Sequence, residues 1–178
     1  MKVKSVFWLW LILFSSAAWS LDANLSQYKL GSGDVIKITV FGQSDLSLNT
    51  KLPNHGIINY PFLGDIKVIG LTGAELEAKL YAGLKGDYLV EPSVSVTVIE
   101  YRPFFIDGEV KRPGGYPYQP GLSVDKAAAL AGGYTERASK TKIFIRRENE
   151  SGQQEQLGAQ STDVVLPGDI VTVQQSFF

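Results

Sequence analysis

Tyr28-Lys-Leu-Gly-Ser-Gly-Asp-Val-Ile-Lys-Ile-Thr-Val-Phe41 joins a turn to a strand. Gly31 and Gly33 admit backbone angles that other residues resist, and Asp34 can bond the backbone of its own turn. Past the turn, Ile36, Ile38 and Val40 alternate with Lys37 and Thr39, the period of a half-buried strand. The device returns near the end of the chain, where Leu166-Pro-Gly-Asp169-Ile-Val again sets a Gly-Asp turn before an alternating strand. The two turns lie 135 residues apart, too far for a tandem repeat. They point to two β-rich units that share one turn chemistry.

Between them the period changes several times. Ile57–Tyr60 and Asp65–Ile69 read as a hairpin around Pro61-Phe-Leu-Gly64. Thr72-Gly-Ala-Glu75 has the capping-box spacing, and Leu76, Leu80 and Leu84 follow on one helical face, which predicts a helix over 73–84. Val94, Val96 and Val98 alternate in a strand, and Phe104–Val110 reads as another, broken at Arg112-Pro-Gly-Gly115. Ser123 caps a second helix, Val124–Ala131, which stops at Gly132-Gly133. Lys142–Arg146 is a strand, Asn149–Gln156 a polar hairpin tip, and Val164–Val173 the closing strand. The fold class is α+β: a β-rich module over 28–101, then a second over 104–174, with two short helices.

The N-terminus has a different character. Lys2 and Lys4 precede an unbroken apolar run, Val6–Phe14, and then the small residues around Ala18-Trp-Ser20. This is the pattern of a secretory signal peptide over 1–20, and its apolar run falls short of the ~20 residues of a spanning helix. Cleavage is placed after Ser20, with Ala18 the second choice and an uncleaved anchor the competing reading. Removing twenty residues, two of them lysines, leaves 158 residues with a charge of −3. The 178-residue chain carries −1 overall, so a nucleic-acid-binding role has no basic excess to rest on. Without cysteine, thiolate metal sites, disulfides and cysteine nucleophiles are excluded, and with His55 as the single histidine a His-rich metal site is excluded too. A secreted chain without disulfides suits a bacterial periplasm.

In this order the motifs resemble a known family. Tyr28-x-Leu30-Gly31-x-Gly33-Asp34-x-Ile36-x-Ile38-x-Val40 resembles the opening motif of the polysaccharide biosynthesis/export proteins of the Wza type. Gly56-x-Ile58 and Pro61-x-Leu63-Gly64-x-Ile66-x-Val68-x-Gly70-Leu71-Thr72 resemble that domain's second signature, and Pro92-x-Val94-x-Val96 its closing strand. Ile106-x-Gly108-Glu109-Val110-x-x-Pro113-Gly114-x-Tyr116 resembles the start of the soluble-ligand-binding β-grasp (SLBB) domain. Gly121, Ser123-Val124, Ala128 and Ala131-Gly132-Gly133 continue it, and Val165-x-Pro167-Gly168-Asp169-x-Val171-x-Val173 matches its last strand. The resemblance covers about residues 28–173.

It implies a non-enzymatic component of a capsular or exopolysaccharide export conduit, located in the periplasm at the outer membrane. Its expected partners are copies of itself in a ring, an inner-membrane polysaccharide copolymerase and the polysaccharide. Larger members carry a lipidated cysteine and a C-terminal amphipathic helix that lines a pore. Neither is present here, so the expectation is a short form that pairs with a separate outer-membrane β-barrel porin. The alternative is a periplasmic glycan-binding β-grasp module that forms no channel.

No residue pattern demands a cofactor. Leu30-Gly-Ser-Gly-Asp34 lacks the Lys-Ser/Thr of a phosphate loop and leads into a strand. Asp34 and Asp169 read as turn residues rather than a catalytic pair, and His55 as a surface residue. Asp87, Glu91, Glu148 and Glu150 lack the spacing of a calcium loop. Tyr116 and Tyr118, two apart in an extended segment, are candidate glycan contacts together with Arg112, since aromatic faces stack on sugar rings. Arg102 and Lys111 are further candidates to line a passage for acidic polymer. The terminal Phe177-Phe178 is an interface anchor or a frayed end.

Overall fold

A computed structural model describes residues 27–149 and 152–176. The signal-peptide reading of residues 1–20, Glu150 and Phe177-Phe178 lie outside the described residues. Two hydrophobic cores form, one on each side of Tyr101-Arg102-Pro103.

In the first module β1 (Val35–Val40) is the centre of a three-stranded antiparallel sheet, between β2 (Leu48–Lys51) and β5 (Val94–Glu100). Ile36, Ile38 and Val40 are buried, as their alternation predicts. A 3-10 turn, Ser44–Leu46, links β1 to β2. The hairpin β3 (Ile57–Tyr60) and β4 (Gly64–Lys67) and the helix α1 (Gly73–Leu84) close the same core. The Thr72 hydroxyl accepts from the Glu75 N–H, and the Glu75 carboxylate accepts from the Thr72 N–H, completing the capping box. Leu76, Leu80 and Leu84 are each 0% exposed and contribute about 2 kcal/mol apiece.

The second module is a five-stranded mixed sheet in the order β7-β6-β10-β8-β9. Its strands are β6 (Phe104–Gly108), β7 (Gly114–Tyr116), β8 (Ala138–Glu148), β9 (Gln154–Ala159) and β10 (Ile170–Gln175). β6 and β10 pair in parallel, and the other pairs are antiparallel. The short helix α2 (Val124–Leu130) lays Val124, Ala127 and Ala128 on one face of this sheet, against Ile106, Ile145 and Val171. Among the described residues, no helix is long and apolar enough to cross a membrane.

Several boundaries differ from the sequence reading. β2 carries no clear alternation and was not expected, because it is an edge strand with little burial. β7 begins at Gly114, inside the segment read as a break, and pairs with β6. β9 occupies Gln154–Ala159, partly inside the expected hairpin tip; its residues are exposed up to Ala159, so polar side chains hide the strand. The closing strand starts at Ile170 rather than Val164, since the Gly-Asp turn precedes it.

Candidate functional site

The two Gly-Asp turns meet across the module junction. In the first, the Asp34 carboxylate is fully buried, and its Oδ2 accepts from the Gly31 N–H and the Tyr28 hydroxyl, both at 2.7 Å. In the second, Asp169 Oδ2 accepts from the Leu166 N–H at 2.7 Å, the same three-residue reach. Each aspartate ties its own turn, as expected. Each then takes an arginine that local sequence does not announce.

Arg102 comes from the linker between the modules. Its N–H donates to Asp34 Oδ1 at 2.7 Å, and its Nη1 lies 3.0 Å from the Tyr28 hydroxyl and 3.5 Å from Asp34 Oδ2. The guanidinium threads between the two turns: a Cβ at Gly31 would stand 1.7 Å from Nη1, and one at Gly168 would stand 2.7 Å from Nε. These glycines therefore leave room for a side chain, besides bending the turn. Arg147 makes the matching pair on the other side, with Nε 2.9 Å from Asp169 Oδ1 and Nη2 2.7 Å from Oδ2. That fork is bidentate, the stronger geometry. It holds the Arg147 pKa above its ordinary value.

Three tyrosines extend the clamp. Tyr28 meets Tyr101 edge-on at 5.0 Å, and Tyr101 meets Tyr118 edge-on at 5.4 Å, so the chain of rings runs from one module into the other. Burial, then the neighbouring Asp34 carboxylate, push the Tyr28 phenol far above the usual tyrosine range. The folded-state value is the raised one, so this stabilisation is fully present below about pH 10, the unfolded tyrosine value, and is lost as pH rises beyond it. Stability measured by urea unfolding is expected to hold up to about pH 10 and to decline above it, and Tyr28→Phe to decline less steeply. Equal slopes would remove Tyr28 from this role.

Beside the clamp lies an open cleft of about 630 Å³, lined by Ser32, Lys51, Asn54, Arg102, Phe105 and Gly168 among others. The Ser32 hydroxyl donates to Asn54 Oδ1 at 2.5 Å, fixing one wall. No group of His, Asp and Glu among the described residues is arranged to hold a metal ion.

The expected glycan contacts are not brought together as a surface pair. Tyr118 is 8% exposed and belongs to the tyrosine chain, which corrects the expectation that it shares an open face with Tyr116. β7 ends at Tyr116, and Pro117 breaks the alternation that would have kept both rings on one side. Tyr116 is half-buried, stacked on Phe104 at 6.0 Å, and its hydroxyl donates to the Arg112 carbonyl at 2.6 Å. Arg112 is exposed, with Nη2 3.3 Å from the Leu130 carbonyl. Gly33 and Pro167 belong to the clamp turns. Pro61, Gly64, Gly70, Gly108, Pro113, Gly114, Gly132 and Gly133 lie in turns or at strand ends elsewhere. Sequence reasoning missed Phe105, Lys51 and the junction role of Arg102, which lies 68 positions from Asp34.

Residues 22–99 match the polysaccharide biosynthesis/export protein family, and residues 103–157 match the SLBB domain. The boundary between the two matches falls on the linker that carries Arg102. The chain is 34% identical over 146 residues to the exopolysaccharide production protein ExoF of Rhizobium meliloti (strain 1021), covering 74% of this chain and 34% of ExoF. It is 27% identical over 188 residues to the EPS I polysaccharide export outer membrane protein EpsA of Ralstonia nicotianae, covering 87% of this chain and 49% of EpsA. Against the polysialic acid transport protein KpsD of Escherichia coli the identity is 27% over 125 residues, covering 68% of this chain and 22% of KpsD. The chain thus spans between about a fifth and a half of these relatives. With both domains matched in order and three relatives of this kind, the chain belongs to the polysaccharide biosynthesis/export family and carries an SLBB domain behind its export domain.

Proposed function

We propose that the protein is a periplasmic, outer-membrane-associated component of an exopolysaccharide or capsule export conduit. One observation carries this reading: an export-family domain followed directly by an SLBB domain, in a chain related to ExoF, EpsA and KpsD. Family members are export and transport proteins, and the role proposed here is geometric rather than catalytic. The Arg102 clamp supports it physically, because it joins the two modules through a buried carboxylate and so holds their relative angle. Copies of fixed shape can repeat head-to-tail around an axis and close a ring. Polymer then passes through a hydrated opening, weakly held, towards a separate outer-membrane β-barrel, with an inner-membrane copolymerase feeding the other end. The motif residues of the turns act as scaffold on this reading, and exposed Arg112, with the half-buried Tyr116 beside it, is a contact for the glycan.

Deleting the gene is expected to abolish polymer at the cell surface while polymer still accumulates inside the cell, and plasmid-borne protein to restore it. Native mass spectrometry of protein extracted from the envelope is expected to give a closed oligomer lacking residues 1–20. Normal surface polymer in the deletion strain would rule the conduit role out.

A further inference from the structure

We infer that the cleft between the modules, with the sheet face it opens onto, is a binding subsite for a carboxylate-bearing saccharide. The inference deepens the export reading above, which supplies such a ligand as polymer in transit.

Phe105 carries the case. It is 47% exposed, while its neighbours Phe104 and Ile106 are 0% and 1% exposed. Strand alternation turns those neighbours into the core and leaves Phe105 on the sheet face away from α2. It pairs with Gly115 on β7 and with Ile170 on β10, and Ile170 pairs in turn with Arg146 on β8. Gly115, Phe105, Ile170 and Arg146 therefore form one row across four strands. Gly115 adds no side chain beside the ring, where a Cβ would come within 2.9 Å of it. Ile170 continues the apolar surface, and exposed Arg146 ends it. From Phe105 to Arg146 is two strand spacings, about 10 Å, the reach of a disaccharide.

Phe105 also forms part of the 630 Å³ cleft, which the polar side chains of Ser32, Lys51 and Asn54 line with it. Asn54 spends its carbonyl oxygen on Ser32, which leaves its amide N–H groups directed to other acceptors. Lys51 is exposed on the same cleft. An aromatic face with a few fixed polar groups around it is how a concave site holds a polar ligand that has an apolar side, as a pyranose ring does.

The charges select the ligand. Arg102 is paired with Asp34, so the exposed cations offered here are Lys51 on the cleft and Arg146 in the row. The carboxylates on this face, Asp107 and Glu148, lie in the neighbouring rows on opposite sides of it. A saccharide that carries acid groups fits these two cations better than a neutral one.

The test is a titration of the isotope-labelled protein with oligogalacturonate, followed by amide NMR, with cellohexaose as the neutral probe. Oligogalacturonate is expected to shift the Lys51, Phe105, Gly168, Ile170 and Arg146 amides, with binding weakened by salt. Phe105→Ala is expected to weaken it about five- to tenfold, the value of one stacking contact, and Phe105→Tyr to retain it. Lys51→Gln and Arg146→Gln are expected to reduce its salt dependence. Unchanged melting of each variant shows that the fold survives. The proposal is overturned by an absence of shifts, by shifts confined to other residues, by equal binding of cellohexaose, or by full affinity in Phe105→Ala. Oligogalacturonate binding in a protein whose deletion leaves export normal supports the subsite and sinks the export reading. Export lost on deletion, without binding, does the reverse.

Discussion

Asp34→Ala is expected to lower the stability of the protein by about 3–5 kcal/mol, the cost of breaking a buried charged network from one side. The carboxylate is fully buried and serves four donors: the Tyr28 hydroxyl, the Gly31 N–H, the Arg102 N–H and the Arg102 guanidinium. Alanine supplies none of these acceptors, and the buried Gly31 N–H loses its partner. Arg102→Met is the informative comparison. It removes only the guanidinium, whose side chain is 29% exposed, while the Arg102 N–H still reaches Asp34. Its expected cost is about 1–2 kcal/mol. The two variants also report on the junction. Each module has its own core, so a wild-type urea transition held together by the clamp is expected to split into two in Asp34→Ala. A loss below about 1 kcal/mol with one sharp transition would show that the clamp does not couple the modules.

Gly108→Ala is the second large effect. Gly108 has φ +81, and a Cβ there would stand 2.1 Å from the Val173 carbonyl oxygen and 3.0 Å from its carbonyl carbon. The obstacle is backbone, and it belongs to β10, held by β6 on one side and β8 on the other. That same carbonyl accepts from the Glu109 N–H at 2.9 Å. The methyl group has to displace the central strand of the sheet and adopt a left-handed backbone as well. A loss on the order of 4 kcal/mol follows, read as a lower thermal midpoint of the second module. Gly158→Ala in β9 is the control. Nothing lies within 4 Å of its Cβ position, and a change within about 0.5 kcal/mol is expected. A Gly108→Ala protein as stable as Gly158→Ala would mean that β6 and β10 do not approach this closely in solution.

The contrast between these sites shows what a sequence can and cannot disclose. The capping box at Thr72, the three leucines of α1 and the alternation of β1 were legible because each is a relation between residues a few positions apart. β2 and β9 were not, because edge strands exposed to water need no apolar period. Tyr118 was misplaced because a spacing of two means one shared face only while the strand continues, and β7 ends at Tyr116.

The junction divides in the same way. That Asp34 and Asp169 each tie a Gly-Asp turn follows from the sequence alone, since the bond spans three residues. The order of motifs likewise identifies the two domains. Only the tertiary structure decides that Arg102 passes between those turns, that Gly31 and Gly168 make room for it, and that Phe105 faces an open cleft. Arg102 and Asp34 are 68 positions apart, and no local periodicity encodes such a meeting. It is settled by how two separately formed cores pack, which depends on surfaces contributed by the whole chain.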